Sequence, residues 1–596
     1  MNRFRLSYVS LTITLLFASG TPRPALAEWP ALGRAISTAP GNQNRAHVAT
    51  DGAGGALITW QDGRGALPTV FVQHVRASGD VDTAWPGDGR ALLADPASLA
   101  TALGGQQLPV IVADGRGGAI VAWQDERSDI HGPDVFAQHV LASGAVDPAW
   151  PANGVPLCTV VGVQDEIAIA SDGVGGAIVT WMDGRAGGGE GSGVDIFAQH
   201  VLASGVVDPR WPANGRALCT APSTQAFPKI ASDGAVGGSG AIVTWEDFRP
   251  SATGVDIYAQ HVSNAGVVDP AWPVNGRDLS AAPRSELNPT IVPDGAAPVG
   301  GVSGAIVTWF DDRDTTNHIF AQHVLGSGAI DPAWPVNGLA VARAPVDEID
   351  PVLTSDGAGG AIVTWKDARN DQNHNPYVQH VLASGTVDPN WPVNGRALSL
   401  SSGEQFNASI AGDGAGGALV AWEEDSFVFA QHVLHSGLLD PTFPVNGRFL
   451  RLLLSFQHDP DIVSSGTGNA IVAWADQFTD PTFDIYAALV DAGGTLSVDP
   501  GIRPAGLAFA APSPNPARGS VTLRFTLPRD AGVRLDIYDV GGRRVRAFAP
   551  GALSAGEHSL AWDLRDESGR AVSPGLYLAR LDADGHALTQ RIAALK

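Results

Sequence analysis

Along most of the chain the apolar and polar positions repeat one pattern. An alternating stretch such as PKIAS (Pro228 to Ser232) runs into Asp-Gly; an apolar run, GAIVTW, follows; then comes an alternating DIFAQHV, an Ala-Ser-Gly turn and VDPAW. Short runs rich in β-branched and aromatic residues, bounded by turn residues, predict strands. Asp-Gly followed by paired Gly predicts a hairpin between the first two. Each unit is expected to give four short strands: A around PKIAS, B at GAIVTW, C at DIFAQHV and D through the VDPAW stretch. No connection has room for a helix.

The pattern recurs in eight units, beginning at Trp29, Trp85, Trp150, Trp211, Trp272, Trp334, Trp391 and Phe443, at intervals of 52 to 65 residues. Of sixteen tryptophans, eight end strand B, seven open the WP segment, and only Trp562 lies outside. Large apolar side chains at fixed repeat positions are expected as wedges between neighbouring units; an aromatic binding platform is the functional alternative. From the histidine of the QH pair to the next WP position is always 11 residues, whereas from the strand B Trp to that histidine the distance varies from 10 to 19. Insertions collect in exposed connections, so the B–C connection is a surface loop. Four antiparallel strands repeated eight times predict an all-β fold, an eight-bladed β-propeller, with a stacked β-solenoid as the alternative. The eighth unit lacks a following WP segment and the chain supplies one as EWPALGRAI near its start. Residues 28 to 37 are therefore expected to complete the last blade near Ile485 to Leu496.

Composition narrows the class. In 596 residues, 37 are basic and 61 acidic, for a formal net charge of −24, which argues against nucleic-acid binding. The 72 Gly and 42 Pro carry no collagen period and fit turns between short strands. Residues 1–27 read as a secretory signal: Arg3 and Arg5, an apolar run from Leu6 to Ala18, and the small-residue site Ala25-Leu26-Ala27. No membrane span is expected after its cleavage. Cys158 and Cys219 occupy equivalent places in adjacent repeats, too far apart for a disulfide, and are expected as buried free thiols.

The repeat pattern DGxGGAIxxWxDxRxxxxDIYAQxVxxxG resembles units of large secreted bacterial proteins associated with β-propellers; that resemblance implies architecture alone. From 508 to 596, after a linker at 504–507, the pattern changes to SPNP (Ser513 to Pro516), VTLRFTLP, LDIYDVGGRRV (Leu535 to Val545), GEHSLAWD and SPGLYLARL. This segment resembles the immunoglobulin-like C-terminal domain shared by type IX secretion sorting domains and FlgD-like hook-cap domains. The resemblance implies a small β-sandwich, a partnership with secretion machinery, and a location outside the cell or on its outer surface. An ordinary accessory module is the alternative.

Three polar positions recur. Histidines 74, 139, 200, 261, 323, 380 and 432 (His74, His139, His200, His261, His323, His380, His432) share one place in strand C; a ring of them suggests metal or anion binding, but Leu489 fills the place in unit eight, so a structural, hydrogen-bonded role is expected. An acidic residue stands two after each strand B Trp (Asp62, Asp125, Asp183, Asp247, Asp311, Asp367, Glu424, Asp476), with Arg two further in six units; Asp-x-Arg is expected to bracket the loop, with calcium binding as the alternative. The Asp of Asp-Gly (Asp51, Asp114, Asp172, Asp233, Asp294, Asp356, Asp413) is accounted for by turn chemistry. There is no HExxH, GxSxG, phosphate loop or CxxC. No catalytic residue, metal site or cofactor is assigned. The expected function is a non-enzymatic binding protein for a protein or glycan, with any ligand on the face of the B–C connections. A secreted polysaccharide hydrolase or lyase, and a structural envelope protein, are the alternatives.

Overall fold

The computed structural model describes residues 29–30, 33–93, 104–127, 132–185, 193–234, 239–249, 254–295, 303–369, 374–451, 455–466, 468–477, 482–491, 508–509, 512, 515, 517–527, 531–539, 543–553, 556–583 and 586–595. The signal segment, most of the insertion near Asp95 to Gly105, most of the Gly-rich loop at 186–193 and the 504–507 linker lie outside the described residues.

Eight sheets follow the repeat. In blade 3 the strands are A, Gln164–Ser171; B, Ala177–Asp183; C, Asp195–Val201; and D, Arg216–Cys219, hydrogen-bonded in that order and antiparallel throughout. The A strands of the others are Gln43–Thr50 (blade 1), Gln106–Ala113 (2), Gln225–Ser232 (4), Glu286–Pro293 (5), Glu348–Ser355 (6), Gln405–Gly412 (7) and Phe456–Ser464 (8). Neighbouring A strands pack side by side around the ring, including blade 8 against blade 1, so the A strands line a central channel. Strand B is apolar on both faces because neighbouring blades cover both: Ile178, Val179 and Trp181 are fully or almost fully buried.

Strand D is a correction. The VDPAW stretch contributes only an isolated bridge, Val201 with Val207 in blade 3, and the fourth strand lies beyond the WP segment, at Arg216–Cys219. The intervening WPANG turn presses Gly215 (φ +97°) onto the strand B tryptophan; a Cβ there would lie 2.7 Å from Trp181. The indole of Trp150 reaches across to the next blade and donates to the Ala203 carbonyl at 3.1 Å. Both sets of propeller tryptophans are therefore interior wedges, and the binding-platform alternative fails for them; truncating one costs about 3–5 kcal/mol.

Ring closure follows the sequence expectation. Arg34–Ser37 pairs antiparallel with Asp484–Val490, with Ala35 opposite Tyr486, and supplies strand D of blade 8. Trp29 then packs against the Gly79 turn of blade 1, so the start of the chain joins the last blade to the first and leaves no open edge between them.

The C-terminal residues form two further sheets. One joins Ala508–Phe509, Val521–Leu527 and Gly556–Trp562; the other joins Arg544–Leu553, Ala531–Asp539, Gly575–Ala583 and His586–Ala594. They enclose a core of Phe525, Leu535, Ile537, Trp562, Leu581 and Ile592, a small β-sandwich. Among the described residues no helix is long and apolar enough to cross a membrane.

Candidate functional site: the mouth of the central channel

The recurrent polar residues are turned inward upon one another. In blade 3 the His200 Nδ1 lies 2.9 Å from Asp208 of the VDPAW stretch and its Nε2 lies 3.0 Å from Asp172 of the Asp-Gly turn. All seven histidines sit between two such carboxylates, at 2.8 to 3.3 Å. The other oxygen of Asp172 accepts from the amides of Val174 and Gly176, so one side chain shapes the turn and fixes the imidazole. Around His323, His380 and His432 burial opposes the charged ring, but the paired carboxylates outweigh it and raise the imidazole pKa. These nitrogens have no free lone pair for a metal. Unit eight has lost the whole set together, with Ser465, Leu489 and Ser497 at the three places; that joint loss is the sequence signal that the His and Asp positions form one network.

The Asp-x-Arg positions form a second closed network. Asp183 accepts from the Trp181 indole at 2.7 Å, from the Arg185 amide at 2.9 Å, and from the Arg185 guanidinium at 2.8 and 2.6 Å. Arg185 stacks 3.8 Å over the Phe197 ring and donates to the Asn214 carbonyl and to the Cys158 sulfur of blade 2. Six blades repeat the stack at 3.8 to 4.2 Å. Cys158 and Cys219 are buried and free, and burial pushes both thiols up to about 12, so neither is a nucleophile. Blade 8 lacks the loop Arg, and Arg451, from the segment after strand D of blade 7, takes its place: it lies 3.4 Å from Asp476 and 3.6 Å over Tyr486. Glu424 of blade 7 is held by Ser399 and Ser401. Among the described residues no cluster has the makings of a metal site.

What remains open is the mouth of the channel, at the end shared by the B–C and D–A connections, since Gln164 opens strand A opposite Asp183 at the close of strand B. There every A strand carries a bulge: in blade 3 Asp165 pairs with Met182 and Ala168 with Thr180, leaving one extra residue. In all eight blades the bulge residue is left-handed and none is Gly: Arg45, Leu108, Glu166, Phe227, Asn288, Asp350, Asn407 and Asp459, with φ between 50° and 55°. Left-handed backbone costs roughly 1–2 kcal/mol for an L-residue, and it is uncommon for a bulky residue such as Phe227, which is 42% exposed. The bulge was not read from the sequence. Its signal was Pro inside five A strands (Pro109, Pro228, Pro289, Pro351, Pro460), a residue confined to edges and bulges.

Side chains of different blades meet at this mouth. Asn288 donates to Asp350 at 2.8 Å and Lys366 to Asp350 at 2.7 Å. Asn407 reaches Asp459 at 3.1 Å, and His47 lies 3.3 Å from Asp461. Arg45 of blade 1 draws down the carboxyls of both Glu166 in blade 3 and Asp459 in blade 8. Burial pushes Glu246 up to about 6 and Glu423 up to about 7. Carboxyls displaced by burial beside an opening mark binding or proton-transfer sites. Between blades 7 and 8 the mouth deepens into a cavity of about 240 Å³ lined by Glu423, Ser426, Phe456, Gln457, His458, Gln477 and Phe483.

Residues 515–586 match the family model described as the FlgD Ig-like domain. No curated protein matches the sequence. Among solved structures, FlgD from P. aeruginosa is 29% identical over 12% of this chain and 59% of its own, with a TM-score of 0.11. This chain thus spans about three fifths of that protein's length. PorZ of Porphyromonas gingivalis, described as an essential bacterial surface component of the type-IX secretion system, is 12% identical over 93% of this chain and 82% of its own, at 0.23. The α-L-arabinanase of Penicillium chrysogenum is 12% identical over 55% and 94%, at 0.31. At such TM-scores no site residue passes from those proteins to this one. The chain combines an eight-bladed β-propeller with an FlgD Ig-like domain at its C-terminus.

Proposed function

We propose that this is a secreted or cell-surface binding protein whose propeller takes its ligand at the channel mouth without turning it over, and whose C-terminal domain engages secretion machinery and retains the protein at the surface. One observation carries the reading. Positions that pack the ring are nearly identical from blade to blade, while the eight bulge positions hold six residue types in the same strained backbone. Repetition serves the scaffold; its breakdown at one place gives a single asymmetric surface suited to recognising one partner. Binding is favoured over catalysis because the recurrent carboxylates and histidines are consumed by structural partners. The C-terminal assignment rests on the FlgD Ig-like match and on the signal-like residues 1–27.

The test is to screen the exported full-length chain on a glycan array and against extracellular proteins, and to assay any bound polysaccharide for new reducing ends. Saturable binding without product is the expected result; steady product release would contradict the non-enzymatic reading. For retention, deletion of residues 508–596 is expected to shift the protein from cells to medium, and unchanged surface labelling would remove the C-terminal domain from that role.

A further inference from the structure

The cavity between blades 7 and 8 exists because two local departures from the repeat coincide there. In blade 7 the B–C connection shrinks to Asp425-Ser426, joining Ala418–Glu424 to Phe427–Val433 with both residues left-handed (φ 49° and 70°), as a two-residue hairpin of the primed type requires. The loop and Arg that stand at this place in six other blades are absent. In blade 8 strand A begins with Phe456, 61% exposed, where the other units have Asn42, Gly105, Val163, Thr224, Ser285, Asp347 and Glu404.

Resting on the channel-mouth reading above, we infer that this cavity is the subsite for one uncharged sugar unit of a glycan, held between aromatic faces and neutral hydrogen-bonding groups. Phe456 and Phe483 supply the apolar walls, with the Phe483 ring edge-on to His458 at 4.4 Å. His458 keeps Nδ1 on Asp459 at 3.0 Å, and its Nε2 has no hydrogen bond among the described residues. The Ser426 hydroxyl, the Gln477 amide and the Glu423 carboxyl complete the polar lining. No Lys or Arg lines the cavity, so an anionic unit meets no countercharge there. Burial keeps the proton on Glu423 up to a pH of about 7, which turns it from an acceptor of cations into a hydrogen-bond donor. A wholly apolar ligand would leave these polar groups unpaired, at a cost of about 1–3 kcal/mol for each one buried. The volume is below the roughly 300–1,000 Å³ of sites that enclose drug-sized molecules, which limits the occupant to a single small unit.

The experiment is titration calorimetry of the full chain with gluco-, manno-, galacto- and arabino-oligosaccharides of two to six units, and with oligogalacturonides as the charged contrast, at pH 5.5 and pH 8. At least one neutral series is expected to bind at pH 5.5 and to weaken about tenfold at pH 8, as the protonated fraction of Glu423 falls to about a tenth. E423Q, fixed in the neutral form, is expected to bind alike at both pH values, and F456A to lose about tenfold at pH 5.5. Preference for the charged series, binding unchanged in F456A, or no neutral series bound would each overturn the inference. A ligand lost on Arg45→Ala with Phe227→Ala but untouched by the pocket variants would overturn the subsite while upholding the mouth. Indifference to both sets would overturn both.

Discussion

Removing one imidazole from its place in strand C leaves two buried carboxylates facing each other. His380→Leu is therefore expected to destabilise the protein by about 3 kcal/mol, the lower end for breaking a buried ionic contact. Unit eight, with Ser465, Leu489 and Ser497, shows the alternative chemistry. D356S/H380L/D388S is expected to recover most of the loss, because removing all partners leaves no charge unpaired. Chemical denaturation of the three proteins measures this; a triple variant no better than H380L would refute it. The titrations set a pH profile as well. Histidines 323, 380 and 432 have raised folded values, so their contribution is complete below about 6.5, the unfolded value, and is lost as pH rises through the folded one. Glu423 at about 7 and Glu348 at about 8 hold protons in the folded state and likewise lose stability as pH rises. Asp82 and Asp208, lowered to about 2, act oppositely: their stabilisation is present above about 3.9 and vanishes as pH falls through 2. The melting temperature is expected to peak on the acidic side of neutrality, and a melt that keeps climbing above pH 7 would contradict this.

Among the elements, the exchange of arginines between blades 7 and 8 is the sharpest case. Asp476 is buried, burial raises its pKa, and Arg451 offsets this from the neighbouring blade. Arg451→Ser, the residue found at Ser37, Ser280 and Ser399, is expected to cost about 3 kcal/mol. Adding Phe478→Arg, which restores the Asp-x-Arg spacing, is expected to return more than half of it. Thermal melts of the single and double variants decide this, and no recovery would mean that the two arginines are not equivalent. At this scale the sequence was legible wherever a residue type recurred with fixed spacing: strands A to C, the tryptophan wedges, and the Asp-x-Arg bracket. It misled at strand D, because β-branched VDPAW reads as a strand while the pairing edge lies beyond Gly215. The bulge stayed hidden because its residues share a backbone conformation and no side-chain chemistry.

For the whole molecule, eight units and a displaced WP segment at residues 29–30 were enough to read both the ring and its closure. Deleting residues 28–37 removes strand D of blade 8 and the Trp29 wedge at the joint with blade 1. The melting temperature is expected to fall by several degrees, and an unchanged melt would contradict closure through this strand. The binding face was legible only as the end where loop lengths vary; the asymmetry itself needed eight side chains placed around one channel. The most direct measurement of where recognition occurs is hydrogen–deuterium exchange of the full chain with and without its bound ligand. Protection is expected in peptides spanning 43–48, 225–230 and 456–462, from blades 1, 4 and 8. Protection confined to the outer D strands or to residues 508–596, with those three segments unchanged, would contradict binding at the channel mouth.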